Sequence, residues 1–149
     1  MTLLNPAQRK VVFRAWLSEV QAIAIYEIEI AVLKRYAWTK EQKLTLSTFH
    51  KILTEELQHS GSLNSYFSLD RMEQVQVLIS RFIGMVIGCV LSILPSRVSW
   101  IVHAAAEKQA ALIYSKAYSK VPLEELKQAH HQELEHSALF EDLLKLRHG

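Results

Sequence analysis

Two stretches of the chain read alike: EVQAIAIY at Glu19–Tyr26 and EKQAALIY at Glu107–Tyr114. Each is followed by a second near-copy, EELQHS ending at Ser60 and QELEHS ending at Ser137. The shared pattern is a Glu, a Tyr seven residues later, and then a Glu-x-x-His. It selects Glu19, Tyr26, Glu56 and His59 in one half, and Glu107, Tyr114, Glu133 and His136 in the other. On a helix, residues three apart project from one face, so each Glu-x-x-His can present both side chains together. One Glu from each of two helices plus a Glu-x-x-His from each of two others is the donor set of ferritin-like di-iron and di-manganese bundles. Four carboxylates cancel the charge of two divalent ions and can bridge them. Two imidazoles complete a nitrogen and oxygen set suited to iron or manganese.

A single Glu-x-x-His on a solvated face carries no message. Two copies inside a repeat, each with its own upstream Glu, do. Tyr26 and Tyr114 read in two ways, as core residues with bonded hydroxyls or as hydrogen-bond partners of the ligands. His103, one turn before Glu107, reads as a ligand partner or as a satisfied core histidine. His130 and His131 are expected at the surface, and Glu55, Glu135 and Glu141 on a solvated face.

Five helical segments must position these residues. Asn5 is a good N-cap with Pro6 at the first helical position, and that helix is expected to reach Trp38. Thr39 and Gln42 form a capping box for a second helix, expected to reach Phe67. Asp70 and Glu73 start a third that ends near Leu94, before Pro95. The fourth covers about Arg97 to Ser119, and Pro122 opens the last. Short turns near Thr39 and Val121 make two antiparallel hairpins, with segment 70–95 as the connection between them. The expected fold is therefore all-α: a ferritin-like four-helix bundle built from two hairpins, with an extra apolar crossover helix, in one domain spanning 1–149.

The hairpins allow a test of register. Glu19 lies 20 residues before Thr39, while Glu56 and His59 lie 17 and 20 after it. At about 1.5 Å per residue the three match in height to within about 5 Å. Around Val121, Glu107 lies 14 before, and Glu133 and His136 lie 12 and 15 after. Glu27, only 12 before Thr39, misses that level, and Glu29 misses it by more.

Composition agrees with a packed helical protein. Half of the 149 residues are hydrophobic, and only four are Gly and three Pro, which argues against disorder. A net charge of +2 gives no basic stripe for nucleic acid. One cysteine, Cys89, excludes an internal disulfide and a Cys-based zinc site. The N-terminal MTLLNPAQRK lacks the order of a signal peptide, so a cytoplasmic location is expected, peripheral to the inner face of a membrane where a membrane is used. The most apolar run, Phe82–Pro95, is by itself too short to span a bilayer. It contains Gly84 and Gly88 in a spacing that permits close helix approach. Its readings are a buried crossover, or a surface segment that enters a membrane face or dimerises. It could also line a tunnel for an apolar substrate, with Phe82, Ile83, Met85, Val86, Ile87 and Val90 as the contacting residues. Arg71, Arg81 and Arg97 flank it for anionic head groups.

Taken in order, Glu19–Tyr26, Glu56–His59, Phe82–Leu94, Glu107–Tyr114 and Glu133–His136 resemble the demethoxyubiquinone hydroxylase family of ubiquinone biosynthesis. The resemblance covers roughly Val11 to Leu144. It implies a di-iron monooxygenase that uses O2 and an external electron donor to hydroxylate a quinone-like lipid ring at a membrane surface. Glu19, Glu56, His59, Glu107, Glu133 and His136 would then hold two iron ions. Where the family has Asp-His-Ala-Gly before its first ligand, this chain has Ala15-Trp16-Leu17-Ser18, and its Glu19-to-Glu56 gap is longer. The other readings are a ferritin-like iron-binding protein or ferroxidase, a tRNA-modifying hydroxylase of the same fold, and a metal-free helical scaffold.

Overall fold

The computed structural model describes residues 4–36 and 39–146. Among them the chain is all-α, with five helices and no strands: α1 (Pro6–Tyr36), α2 (Lys40–Asn64), α3 (Arg71–Ile93), α4 (Ser96–Lys120) and α5 (Glu124–Lys145). Three starts are capped as the sequence predicts. The Gln8 N–H donates to Asn5 Oδ1 at 2.9 Å, with the reciprocal bond from the Asn5 N–H to Gln8. Thr39–Gln42 and Asp70–Glu73 form complete capping boxes, which satisfy amides that the helix itself leaves open. The expected end of the first helix at Trp38 falls outside the described residues.

The second helix stops at Asn64 rather than at Phe67. The chain tightens there, with Tyr66 and Phe67 amides bonded three residues back. Phe67 then folds onto Phe13 and Trp16, at ring separations of 5.4 and 5.5 Å. Aromatic burial against α1 outcompetes another helical turn. The last helix starts at Glu124, two residues after Pro122, and places Glu124 and Glu125 in its first turn, where carboxylates favour the helix dipole.

α1 packs on α2, α2 on α5, α5 on α4, and α4 on α1, so these four helices close a ring. Two apolar clusters fill its ends. One contains Val12, Phe13, Trp16, Leu63, Tyr114 and Leu126. The other contains Tyr26, Phe49, Ile52, Trp100, Phe140 and Leu143. Along these four helices Glu19, Glu56, His59, Glu107, Glu133 and His136 fall between the two clusters.

α3 lies along α1 and makes no comparable contact with the other helices. Gly84 and Gly88 form the seam. A Cβ at Gly84 would strike the Gln21 carbonyl and come within 2.9 Å of Ala24 Cβ, and one at Gly88 would sit 2.8 Å from the Ile25 carbonyl. The Ser80 hydroxyl donates to the Leu17 carbonyl at 2.9 Å, and Arg81 pairs with Glu27 at 3.1 Å. Arg9 holds the start of α3 through Glu73. Of the two readings of this segment, the exposed surface helix is the one the structure shows. Only the glycine edge and Leu91 are buried, whereas Met72, Leu78, Phe82 and Ile93 are 65–82% exposed. Ile83, Met85, Val86 and Val90 are exposed with them, and Ile87 is half-buried. The helix around the apolar run is also longer than the run, and α3 as a whole has the length and composition of a membrane-crossing segment.

Because the atoms facing Gly84 include backbone, the seam cannot yield cheaply. Gly84→Val is expected to destabilise the fold by about 1–3 kcal/mol despite the gain in helix propensity. The urea-unfolding midpoint measures this, and an unchanged or higher midpoint would contradict the tight seam.

Candidate metal centre

Glu19 comes from α1, Glu56 and His59 from α2, Glu107 from α4, and Glu133 and His136 from α5. All six are buried. Their donor atoms form two groups, each with all atoms within 4.8 Å of one another. Glu19, Glu56, His59 and Glu133 make the first; Glu56, Glu107, Glu133 and His136 make the second. Glu56 and Glu133 belong to both. Glu56 and Glu133 thus link the two groups, with Glu19 and His59 completing one and Glu107 and His136 the other.

Hydrogen bonding points the same way. Glu19 Oε2, Glu56 Oε1, His59 Nδ1, Glu133 Oε2 and His136 Nδ1 are buried with no hydrogen-bond partner. Unpartnered buried polar atoms are rare because each costs its desolvation. Here five converge on one spot. His136 Nδ1 lies 3.3 Å from Glu56 Oε1, 3.8 Å from Glu133 Oε2 and 3.9 Å from Glu107 Oε2. His59 Nδ1 lies 3.9 Å from Glu19 Oε2. These buried groups can hold a metal ion, and four carboxylates with two imidazoles balance two divalent ions in charge.

Without ions the cluster must be balanced by protons. Burial, and then the neighbouring carboxylates, hold Glu19 well above the usual carboxylate range. Burial likewise raises Glu133, with help from Glu56 and Glu107 and against the pull of His136. For Glu107, burial also pushes upward, but His136, Glu133 and Tyr26 outweigh it and bring the group to about 2. Burial opposes a charged His136, yet the surrounding Glu107, Glu133 and Glu56 push it up to about 12.

The hydrogen-bond partners of the six clustered residues were only partly legible in the sequence. The Tyr26 hydroxyl donates to Glu107. Burial first, then the charge of Glu107, raises the phenol well above its ordinary value, so it stays protonated. The hydroxyl of Tyr114, its counterpart in the repeat, instead donates to the Ala15 carbonyl at 3.4 Å. His103 is a satisfied core histidine. Its Nε2 bonds Glu29 at 2.7 Å, Ser99 donates to the same carboxylate at 3.1 Å, and the ring stacks between Tyr26 and Phe140. Glu29 is therefore buried, although it stays outside both donor groups, as its register requires; Glu27 is exposed.

Two positions expected on the surface are not there. Glu55 is half-buried and bonds His136 Nε2 at 2.6 Å. His130 is half-buried, with its Nδ1 on the Ala111 carbonyl at 2.9 Å. Gln132, which sequence reasoning passed over, bonds His59 Nε2. The signal was present: Glu55 and Gln132 are the first letters of EELQHS and QELEHS. His131 and Glu135 are exposed, and Glu141 pairs with Lys108 at the surface.

A cavity of about 270 Å³ lies against the cluster, lined by Glu19, Tyr26, Glu56, His103, Glu107 and Glu133. Ala22, Ile25, Ala110 and Ile113 give it apolar walls, and Gln21 and Gln109 add a symmetric amide pair. None of Phe82, Ile83, Met85, Val86, Ile87 or Val90 lines this cavity. α3 instead backs Gln21 and Ile25 through its glycine seam.

Comparison of the chain with protein families, curated proteins and solved structures finds no match in any of the three.

The proton balance gives a pH prediction. Glu19, Glu133 and His136 hold protons in the folded state that the unfolded chain releases, so each makes metal-free stability fall as pH rises, by up to about 1.4 kcal/mol per pH unit. The windows open near the unfolded pKa values, ~4.3 for Glu and ~6.5 for His, and close as pH passes the raised folded values. Glu107 does not oppose this between pH 5 and 9, being ionised in both states. The melting temperature of metal-free protein should fall from pH 5 to 9, and two equivalents of divalent ion should flatten the slope by displacing those protons. A melting temperature that rises with pH without metal would contradict the proton-balanced cluster.

Proposed function

We propose that this protein is a ferritin-like di-iron monooxygenase, a divergent relative of the demethoxyubiquinone hydroxylases, that hydroxylates the ring of a quinol-type lipid at a membrane surface. The observation that carries the reading is the pair of interlocking donor groups at the floor of an apolar-walled cavity. A storage or ferroxidase site needs the donors but not a cavity sized for a ring.

Glu19 and His59 would hold one iron, Glu107 and His136 the other, with Glu56 and Glu133 between them. Bound iron would supply the O2 and electron chemistry that side chains lack. The protein's own groups do the rest. The Tyr26 O–H fixes one oxygen of Glu107 and leaves the other for an ion. The walls Ala22, Ile25, Ala110 and Ile113 keep water from the ring. Gln21 and Gln109 offer donors and acceptors suited to ring oxygens. The overall change is balanced: ring C–H, O2, two electrons and two protons give ring C–OH and water, with the electrons from an external donor.

The exposed side of α3 supports a lipid substrate. Its apolar residues occupy the helix that backs the cavity's α1 wall, so a membrane-held isoprenoid tail could lie outside while the ring enters. About 270 Å³ suits a ring and not a whole prenylated lipid.

Anaerobic reconstitution with ferrous iron should load about two ions per chain and give an optical change on adding O2. Glu56→Ala and Glu133→Ala should each disrupt both positions, whereas Glu19→Ala and His136→Ala should each empty one. Full metal content in all four variants would refute the site. Iron taken up far beyond two per chain in a cage-sized oligomer would replace the hydroxylase reading with iron storage.

For the membrane, Phe82→Asp on the exposed face should reduce co-sedimentation with anionic liposomes several-fold without loss of helicity. Unchanged sedimentation would remove the membrane from the reading.

A further inference from the structure

The repeat aligns Glu55 with Gln132, since each stands directly before the Glu of its Glu-x-x-His. In space each crosses between α2 and α5 to the histidine of the opposite motif: Glu55 to His136 at 2.6 Å, and Gln132 to His59. Both bonds use Nε2, which leaves the unpartnered Nδ1 of each ring facing the carboxylates. The two bonds thus perform one positioning task with different chemistry. One acceptor is a carboxylate, the other an amide carbonyl.

We propose that this difference makes the two ion positions unequal, with the His136 position filling first and Glu55 and Gln132 acting as the positioning residues that set the order. The inference rests on the two-ion site proposed above. A carboxylate acceptor makes a stronger bond to an imidazole N–H than an amide does. It raises the basicity of the ring and holds its orientation more firmly, and loss of such a partner typically costs 10–100-fold in metal affinity. Tyr26 acts on the same half in the opposite sense, since its hydroxyl draws charge from Glu107. That donor is neutral and leaves the second Glu107 oxygen free, so the carboxylate on His136 dominates. The half built on His59 has neither feature, because Tyr114 is engaged with the Ala15 backbone.

The test is a cobalt(II) titration of the metal-free full chain, followed by calorimetry and by the cobalt-shifted imidazole N–H signals of His59 and His136. Wild type should bind in two steps at least tenfold apart, with the His136 signal shifted at one equivalent. Glu55→Gln should close the gap by weakening the first step, and Gln132→Glu should close it by strengthening the second. The double exchange should restore the gap with the order reversed, an outcome that general destabilisation cannot produce. Two equal steps in wild type, or an order that survives the double exchange, would overturn this inference and leave the two-ion site standing. No cobalt bound by wild type would overturn both.

Discussion

Four carboxylates share the centre of this molecule with two imidazoles, away from water. That repulsive arrangement is the constraint on which the rest depends. It is held apart from solvent by an apolar cluster at each end of the ring of helices, and balanced by raised carboxyl pKa values and a charged His136. A core of this kind is a poor choice for stability alone, because apolar residues of similar volume would serve as well or better. Its cost would become intelligible if the buried groups held metal in place of those protons. Bound metal would also satisfy the five donor atoms that the protein leaves without partners.

The repeat builds the centre nearly symmetrically, and the departures from symmetry fall at one end of the ring. By the repeat Ala15 aligns with His103 and Ala117 with Glu29; both alanines lie in one apolar cluster, and the polar pair lies at the other end of the ring. The alanines simply pack. The His103–Glu29–Ser99 group extends polar structure outward from the cavity, with His103 stacked on the tyrosine that bonds Glu107. The carboxylate of Glu55 lies on the same side of the centre, through His136. The donor group that contains His136 therefore sits in a more polar setting than the group that contains His59.

α3 answers to a different pressure. Its glycine edge fits against the α1 backbone so closely that side chains are excluded, yet its remaining faces are apolar and open. The seam fixes the helix without covering it. This keeps a large apolar surface on the helix that supports one wall of the cavity, where an apolar partner would be most useful.

Much of this was written along the chain. Helix starts follow from Asn5, Thr39 and Asp70, because capping is a local matter of three or four residues. The six cluster residues follow from a repeat whose spacing matches helical geometry and hairpin register. What the sequence could not determine was which neighbours meet across helices. Glu55 and His136 are 81 positions apart, and Tyr26 reaches Glu107 while Tyr114 reaches only backbone. Nor could composition tell whether an apolar helix faces inward or outward. Local preferences act over a few residues. Helix rotation and height, by contrast, are settled by packing the whole ring, and a shift of one turn would change every partner of the ligands while leaving each helix intact.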